Sequence, residues 1–309
     1  MRVWLAQVSL AGALLQGRVT PWELPALAAK HGFDGIEWLD RLLPSFEPSD
    51  LARLGQACAS AGLGPGGLSL SIQHQATPRR LALQTQRACN LLEACAELGV
   101  EYVRVGLGGG GLTLNGLLED LSALRPRARQ MTDPLGALGR LAYRLGTGLG
   151  LTRYKAHAHR PPPASKHEHA MAVQAVSPLA QRAEELGLRL GVENHWGLSG
   201  RPSDLLKFVY NLPGHGVGVC LDLDNFYKDQ DSLAGVAAFA PSANHVHYKT
   251  YGPEPAREAL RLGYKLKLEL IKDEGYAHAF SIEYEGPEPS LAGAVQASRV
   301  LRDLWRGLG

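Results

Sequence analysis

Ionisable side chains recur near the ends of the apolar runs in this chain, at positions where a carboxylate or imidazole needs a reason to be. GIEW carries Glu37, SIQH ends in Gln73 and His74, and YVRVG places Arg104 among valines. VENH supplies Glu193, Asn194 and His195, and LDLDN supplies Asp222, Asp224 and Asn225. HVHYK supplies His245, His247 and Lys249, and SIEYE supplies Glu283 and Glu285. Burying a charge without a partner is expensive, so such residues inside strands point to a site. Strand alternation puts Asp222 with Asp224, His245 with His247 and Lys249, and Glu283 with Glu285 on shared faces. A Glu, an Asp, a His and a Glu from successive strands form a mixed oxygen and nitrogen donor set. Such a set suits a divalent ion, with Mn²⁺ expected and Mg²⁺, Co²⁺ or Zn²⁺ as the other candidates. A closed structural zinc site would instead draw on Cys, and no Cys stands at a strand end.

These residues need a scaffold, and the chain supplies strand-like and helix-like segments in alternation, the pattern of a parallel sheet with crossover helices. Strands are expected at 2–10, 34–40, 68–73, 102–108, 189–196, 217–226, 244–252 and 279–286. Helices follow them, the first opening at Thr20-Pro21 and stopping at Gly32, because threonine caps and proline tolerates the first helical position. The expectation is α/β, a single (β/α)₈ TIM barrel over residues 1–309 with a long insertion after strand four. An open doubly wound sheet would show GxGxxG after its first strand, and SLAGALLQG lacks that spacing.

The chain has 309 residues, 45% of them apolar and 20% charged, with a formal net charge of +2. That length and apolar content support one large core, and the weak charge supplies no general field for nucleic acid or an anionic membrane. The apolar start MRVWLAQVSL is interrupted by Gln7 and Ser9, which favours a first strand over a signal peptide. No run approaches the roughly 18 apolar residues of a membrane span. Cys58, Cys89, Cys95 and Cys220 lack paired spacing and read as buried thiols of a cytoplasmic protein.

The insertion at about 112–164 follows GLGGGGL on the face where strands end, a position suited to a lid or a subunit contact, so a homo-oligomer is open. Its glycines read as a hinge or a phosphate cradle, and 135–146 as an amphipathic helix. His157, His159, His167 and His169 read as a solvated loop rather than a second metal site.

The segments GFDGIEW, GVENHW, CLDLDN, HVHYK and FSIEYEG, in this order, resemble the xylose isomerase-like TIM barrel superfamily, the sugar phosphate isomerase/epimerase group. The resemblance implies that Glu193, Asp222, His247 and Glu283 bind one divalent metal, and that Glu193 and Glu283 also serve as acid and base. It leaves Glu37, His74, Arg104, His195, Asn225 and Lys249 as candidate substrate contacts, each with a purely structural alternative. Thr250 stands where the family pattern often has Asp. The implied chemistry is isomerisation or epimerisation at a sugar or cyclitol carbonyl through a metal-stabilised enediolate. A dehydratase or lyase using the same site, with His74 or His195 as acid, is the alternative. An apurinic endonuclease would need further histidines on strands three, four and six; strand four has none and Asn225 occupies the strand-six position. A non-catalytic sugar-binding barrel would have no need of all four ligands.

Overall fold

The computed structural model describes residues 1–107, 163–195, 197–214, 216–226, 228–252, 258–286 and 290–308. Its strands are β1 Val3–Ala6, β2 Gly35–Leu39, β3 Gly67–Ile72, β4 Tyr102–Leu107, β5 Arg189–Glu193, β6 Val217–Asp222, β7 Ala243–Thr250 and β8 Phe280–Tyr284. They pair in parallel in chain order, and β1 closes on β8, giving the (β/α)₈ TIM barrel expected from the alternation. Most of the insertion, including 135–146, His157 and His159, lies outside the described residues.

Helix starts follow local chemistry. Proline occupies the first turn of the helices Leu24–Lys30, Pro48–Ser60, Pro78–Glu97 and Pro202–Tyr210. Ser165 caps Lys166–Glu185 through a reciprocal box with Glu168. The first crossover helix begins at Leu24 rather than beside Pro21: Thr20 donates both its N–H and its hydroxyl to Glu23 Oε2, each at 2.8 Å, so the cap lies one turn ahead of the regular helix.

Strand β1 is shorter than expected, for a reason visible in its polar residues. Gln7 Oε1 accepts from Leu39 N at 2.9 Å and its amide donates to Leu42 O at 3.2 Å. Ser9 Oγ donates to Ile282 O and accepts from Tyr284 N, both at 2.9 Å. Side chains thus take over main-chain partners on β2 and β8, and the backbone turns into a short 3₁₀ segment at Gln7–Leu10. Strand β6 likewise stops at Asp222, whose Oδ1 accepts from Asp224 N at 2.7 Å.

The two faces of the barrel sheet differ completely in chemistry. Residues such as Val3, Leu5, Ile36, Val103, Val192, Leu221, Val246 and Ile282 join one apolar core with the helices. The alternate positions face the barrel interior, where Trp4 and Tyr102 flank His245 at ring centroid distances of 5.1 and 4.4 Å. Glycine makes room for that floor: a Cβ on Gly35 would stand 2.7 Å from the Trp4 indole.

The register of β7 against β6 shifts between Val219 and Cys220, so Cys220 stands beside His245 and Asp222 beside His247. Without that irregularity the pairing would run Cys220 with Asn244 and Asp222 with Val246, an outward-facing valine. The bulge therefore brings an acid and an imidazole onto one face. Gly35→Val should crowd the Trp4 indole and lower stability by about 1–3 kcal/mol, read as a reduced urea midpoint at unchanged slope; an unchanged midpoint would show that the interior floor is looser than the geometry indicates.

Candidate metal centre

Glu193, Asp222, His247 and Glu283 are buried at the ends of β5 to β8, and one ligand atom from each lies within 4.8 Å of all the others. Strand register accounts for part of this, since His247 pairs with Asp222 and Lys249 with Glu283. Asn194 accounts for more: its amide donates to Asp222 O at 2.8 Å and its Oδ1 accepts from Asp222 N at 2.7 Å. That reciprocal clamp fixes the backbone of Asp222 where the regular strand ends.

The two glutamates are held in a matching way. Glu193 Oε1 lies 3.0 Å from His247 Nδ1, and its other oxygen pairs with Arg104. Glu283 Oε1 lies 3.3 Å from the same nitrogen, and Oε2 lies 3.2 Å from Lys249 Nζ. Lys249 also reaches Glu285 at 3.0 Å and stands 3.9 Å from Asp222 Oδ2. The far side of His247 faces Glu37, whose two oxygens lie 3.1 and 2.9 Å from Nε2.

Charge decides how this cluster is stabilised. Glu37, Glu193, Asp222 and Glu283 are four buried carboxylates, and Arg104 and Lys249 are the two buried permanent cations among them. His247 among them is pushed well above the usual imidazole range, burial being outweighed by Cys220, Glu37 and Glu283. Burial opposes ionisation of Glu193, yet Arg104, His195 and His247 together hold its carboxyl below the ordinary range. Glu283 is likewise held low, by Lys249 and His247 against burial. Asp222 goes the other way: burial, reinforced by Glu283 and Glu193 and only partly offset by Lys249, pushes it up to about 8. Its Oδ2 has no hydrogen-bond partner among the described residues although it is fully buried. An oxygen-rich set with one imidazole and an orphaned carboxylate oxygen fits a divalent cation.

The family model for the xylose isomerase-like TIM barrel matches residues 25–304. The chain belongs to that family. Among solved structures it is similar to L-ribulose 3-epimerase, at 14% identity and TM-score 0.66 over 99% of this chain and 95% of the other. It is similar also to the IolI protein with a bound zinc atom, at 14% identity and TM-score 0.65 over 100% and 99% of the two chains. A third is a probable 3-DHS dehydratase from Bacillus anthracis, at 12% identity and TM-score 0.62 over 98% and 99%. No curated protein sequence matches.

Within this family barrel, the other expected site residues divide into two groups. Glu37, Arg104, His195 and Lys249 line a pocket together with Glu283 and Glu285, and with Gln7 and Ser69, for which the sequence raises no site expectation. Gln7 reads in the sequence only as an interruption of an apolar run, and Ser69 as an ordinary strand serine. Ser69 is polar at an inward strand position, whereas Gln7 lies just past the end of β1. His74 and Asn225 are buried but not among the residues lining that pocket. Thr250, in the place of the family's Asp, donates its hydroxyl to Gly252 O at 3.4 Å. His169 Nε2 lies 3.5 Å from Asp204 Oδ1, away from the tetrad. A second, apolar pocket lies beside Trp38, Leu54 and Leu91; its thiols, Cys58 and Cys95, are pushed by burial up to about 11 and about 12.

Arg104→Met should destabilise the protein by about 3–5 kcal/mol, because Glu193 is left buried without its counter-charge. The double variant Arg104→Met with Glu193→Gln should recover a large part of that loss in urea denaturation. Additive losses would mean that the pair does not couple.

Proposed function

We propose that this protein is a divalent-metal-dependent isomerase or epimerase of a sugar or cyclitol, acting at the carbon beside a carbonyl. The carrying observation is the pair Glu193 and Glu283, each with one oxygen at His247 Nδ1 and the other on a fixed cation. Glu193, Asp222, His247 and Glu283 would hold the ion, with Mn²⁺ the expected occupant. When bound, a divalent ion polarises a substrate carbonyl and favours negative charge on its oxygen.

The protein's own groups supply the rest. Strands β5 and β8 flank the β6–β7 pair, so their two carboxylates approach a bound carbon from different sides. The ionised one removes its proton. Inversion needs the other to enter the cycle carrying a proton that it gives to the opposite face. Return of the abstracted proton to the neighbouring carbon, with the hydroxyl proton passing to the carbonyl oxygen, instead isomerises the sugar. Arg104 and Lys249 orient these carboxylates and favour the ionised, proton-accepting form despite burial. His195 and Lys249, lining the pocket, are the groups placed to meet substrate hydroxyls. Membership of the family, and the similarity to an epimerase and to a zinc-containing barrel, support this reading at the level of fold. Four free cysteines are in keeping with work in the reducing cytoplasm.

Elimination is the second reading, because it uses the same proton abstraction and His195 lines the same pocket as a group that could assist a departing hydroxyl. Product analysis separates the two, since loss of water changes the mass.

Protein purified without added metal or a chelating tag should carry about one divalent ion per chain, and Glu283→Gln should lose it. Incubated with ketoses or inososes in deuterated water, the wild type should wash deuterium into the carbon beside the carbonyl. Glu193→Gln should slow this by roughly 10²–10⁴-fold. No ion bound by the wild type even after incubation with Mn²⁺, or no exchange across the panel, would overturn the assignment.

A further inference from the structure

His247 has carboxylates on both ring nitrogens, and that arrangement contains a decision about protons. Nδ1 faces Glu193 and Glu283 at 3.0 and 3.3 Å, while Nε2 faces Glu37 at 2.9 Å. A carboxylate only accepts, and a neutral imidazole has one N–H to give. Carboxylates on both sides favour a ring protonated at both nitrogens while no ion is bound; a cation would take the place of one proton, and the other nitrogen would then donate to its carboxylate.

The surroundings of Glu37 decide which. Ser69 Oγ donates to Oε1, and His245 Nε2 lies 3.4 Å from Oε2. His245 is itself fixed, stacked between Trp4 and Tyr102 and 2.7 Å from Ser281 Oγ. Glu37 is 1% exposed and sits within this ring of donors on the interior side of His247. Three carboxylates converge on the other side, one of them with an orphaned oxygen on Asp222. Glu37 lines the pocket, and both its oxygens also meet groups of the protein, in line with the structural alternative to a substrate contact.

We propose that Glu37 is a positioning residue: it accepts the Nε2 proton of His247, which fixes the ring's orientation and turns an unprotonated Nδ1 toward Glu193, Asp222 and Glu283. This rests on the metal-binding reading of that tetrad. Outer carboxylates that hold a ligating imidazole raise its basicity and restrict its rotation, and their loss weakens metal binding by roughly 10–100-fold. The trio Glu37, His245 and His247 also brings ligand atoms close enough to hold an ion. An ion there would displace the Nε2 proton and leave His247 bridging two cations, so the competing arrangement differs in stoichiometry.

The test uses the full chain and the metal alone. Titration of the metal-free wild type with Co²⁺, followed by its visible absorption and by calorimetry, should give one site per chain. Glu37→Gln, which keeps the shape but not the charge, should weaken Co²⁺ by roughly 10–100-fold with an altered Co²⁺ spectrum and unchanged near-ultraviolet circular dichroism. In the Zn²⁺-loaded wild type labelled with ¹⁵N-histidine, long-range proton–nitrogen spectra should show a ligating ring protonated at Nε2 and bound through Nδ1. That spectrum decides the matter even where Glu37→Gln does not fold. Equal Co²⁺ affinity in variant and wild type, two ions per wild-type chain, or a ring bound through Nε2 would each overturn the positioning role while leaving metal binding intact. A wild type that binds no Co²⁺ removes both this role and the proposed function.

Discussion

Four carboxylates share the water-poor end of this barrel, and like charges so close in a low dielectric repel strongly enough to threaten the fold. The arrangement around them follows from that repulsion. Arg104 and Lys249 are spent on Glu193 and Glu283, and His247 touches Glu37, Glu193 and Glu283 at once. Asp222 is left without a full counter-charge, and burial lifts its carboxyl toward the neutral form. The same imbalance that makes the site costly in isolation would favour a divalent cation there. Stability and ligand affinity are two readings of one electrostatic deficit.

A parallel barrel is well suited to hold such a deficit. Each strand offers inward positions at every second residue, and neighbouring strands place them within reach of one another. The outward positions meanwhile bury Val, Leu and Ile against the helices, so the apolar core does not depend on the polar interior. Below the site the interior is filled by Trp4, Tyr102 and His245, with Gly35 clearing space for the indole. That packed floor is what lets Glu37 and His247 keep fixed positions rather than relax away from each other.

The register shift in β7 and the Asn194 clamp show how finely the site depends on backbone placement. A parallel pair in regular register would match Asp222 with Val246; one irregularity exchanges that valine for His247. On the β5 side Asp222 lies past the last ladder pair, and two hydrogen bonds exchanged with Asn194 hold it. Neither device adds a side chain to the tetrad. Both set where one points.

Period-two alternation and regular helix signals were enough to reveal eight strand–helix units, because local polarity and capping are written residue by residue. The polar strand ends were legible for the same reason, and the tetrad Glu193, Asp222, His247 and Glu283 follows from motif resemblance before any coordinates. What the sequence could not carry is which side chains meet across the barrel. Glu37 and His247 are 210 residues apart, and their contact exists only because the barrel closes. Gln7 and Ser69 are indistinguishable from ordinary strand polar residues until closure brings them to the pocket. The sequence by itself determined the alternation, the fold class and the residue types of the site. The tertiary structure decided the pairing of charges, since Coulomb and hydrogen-bond energies depend on distances that no local pattern encodes.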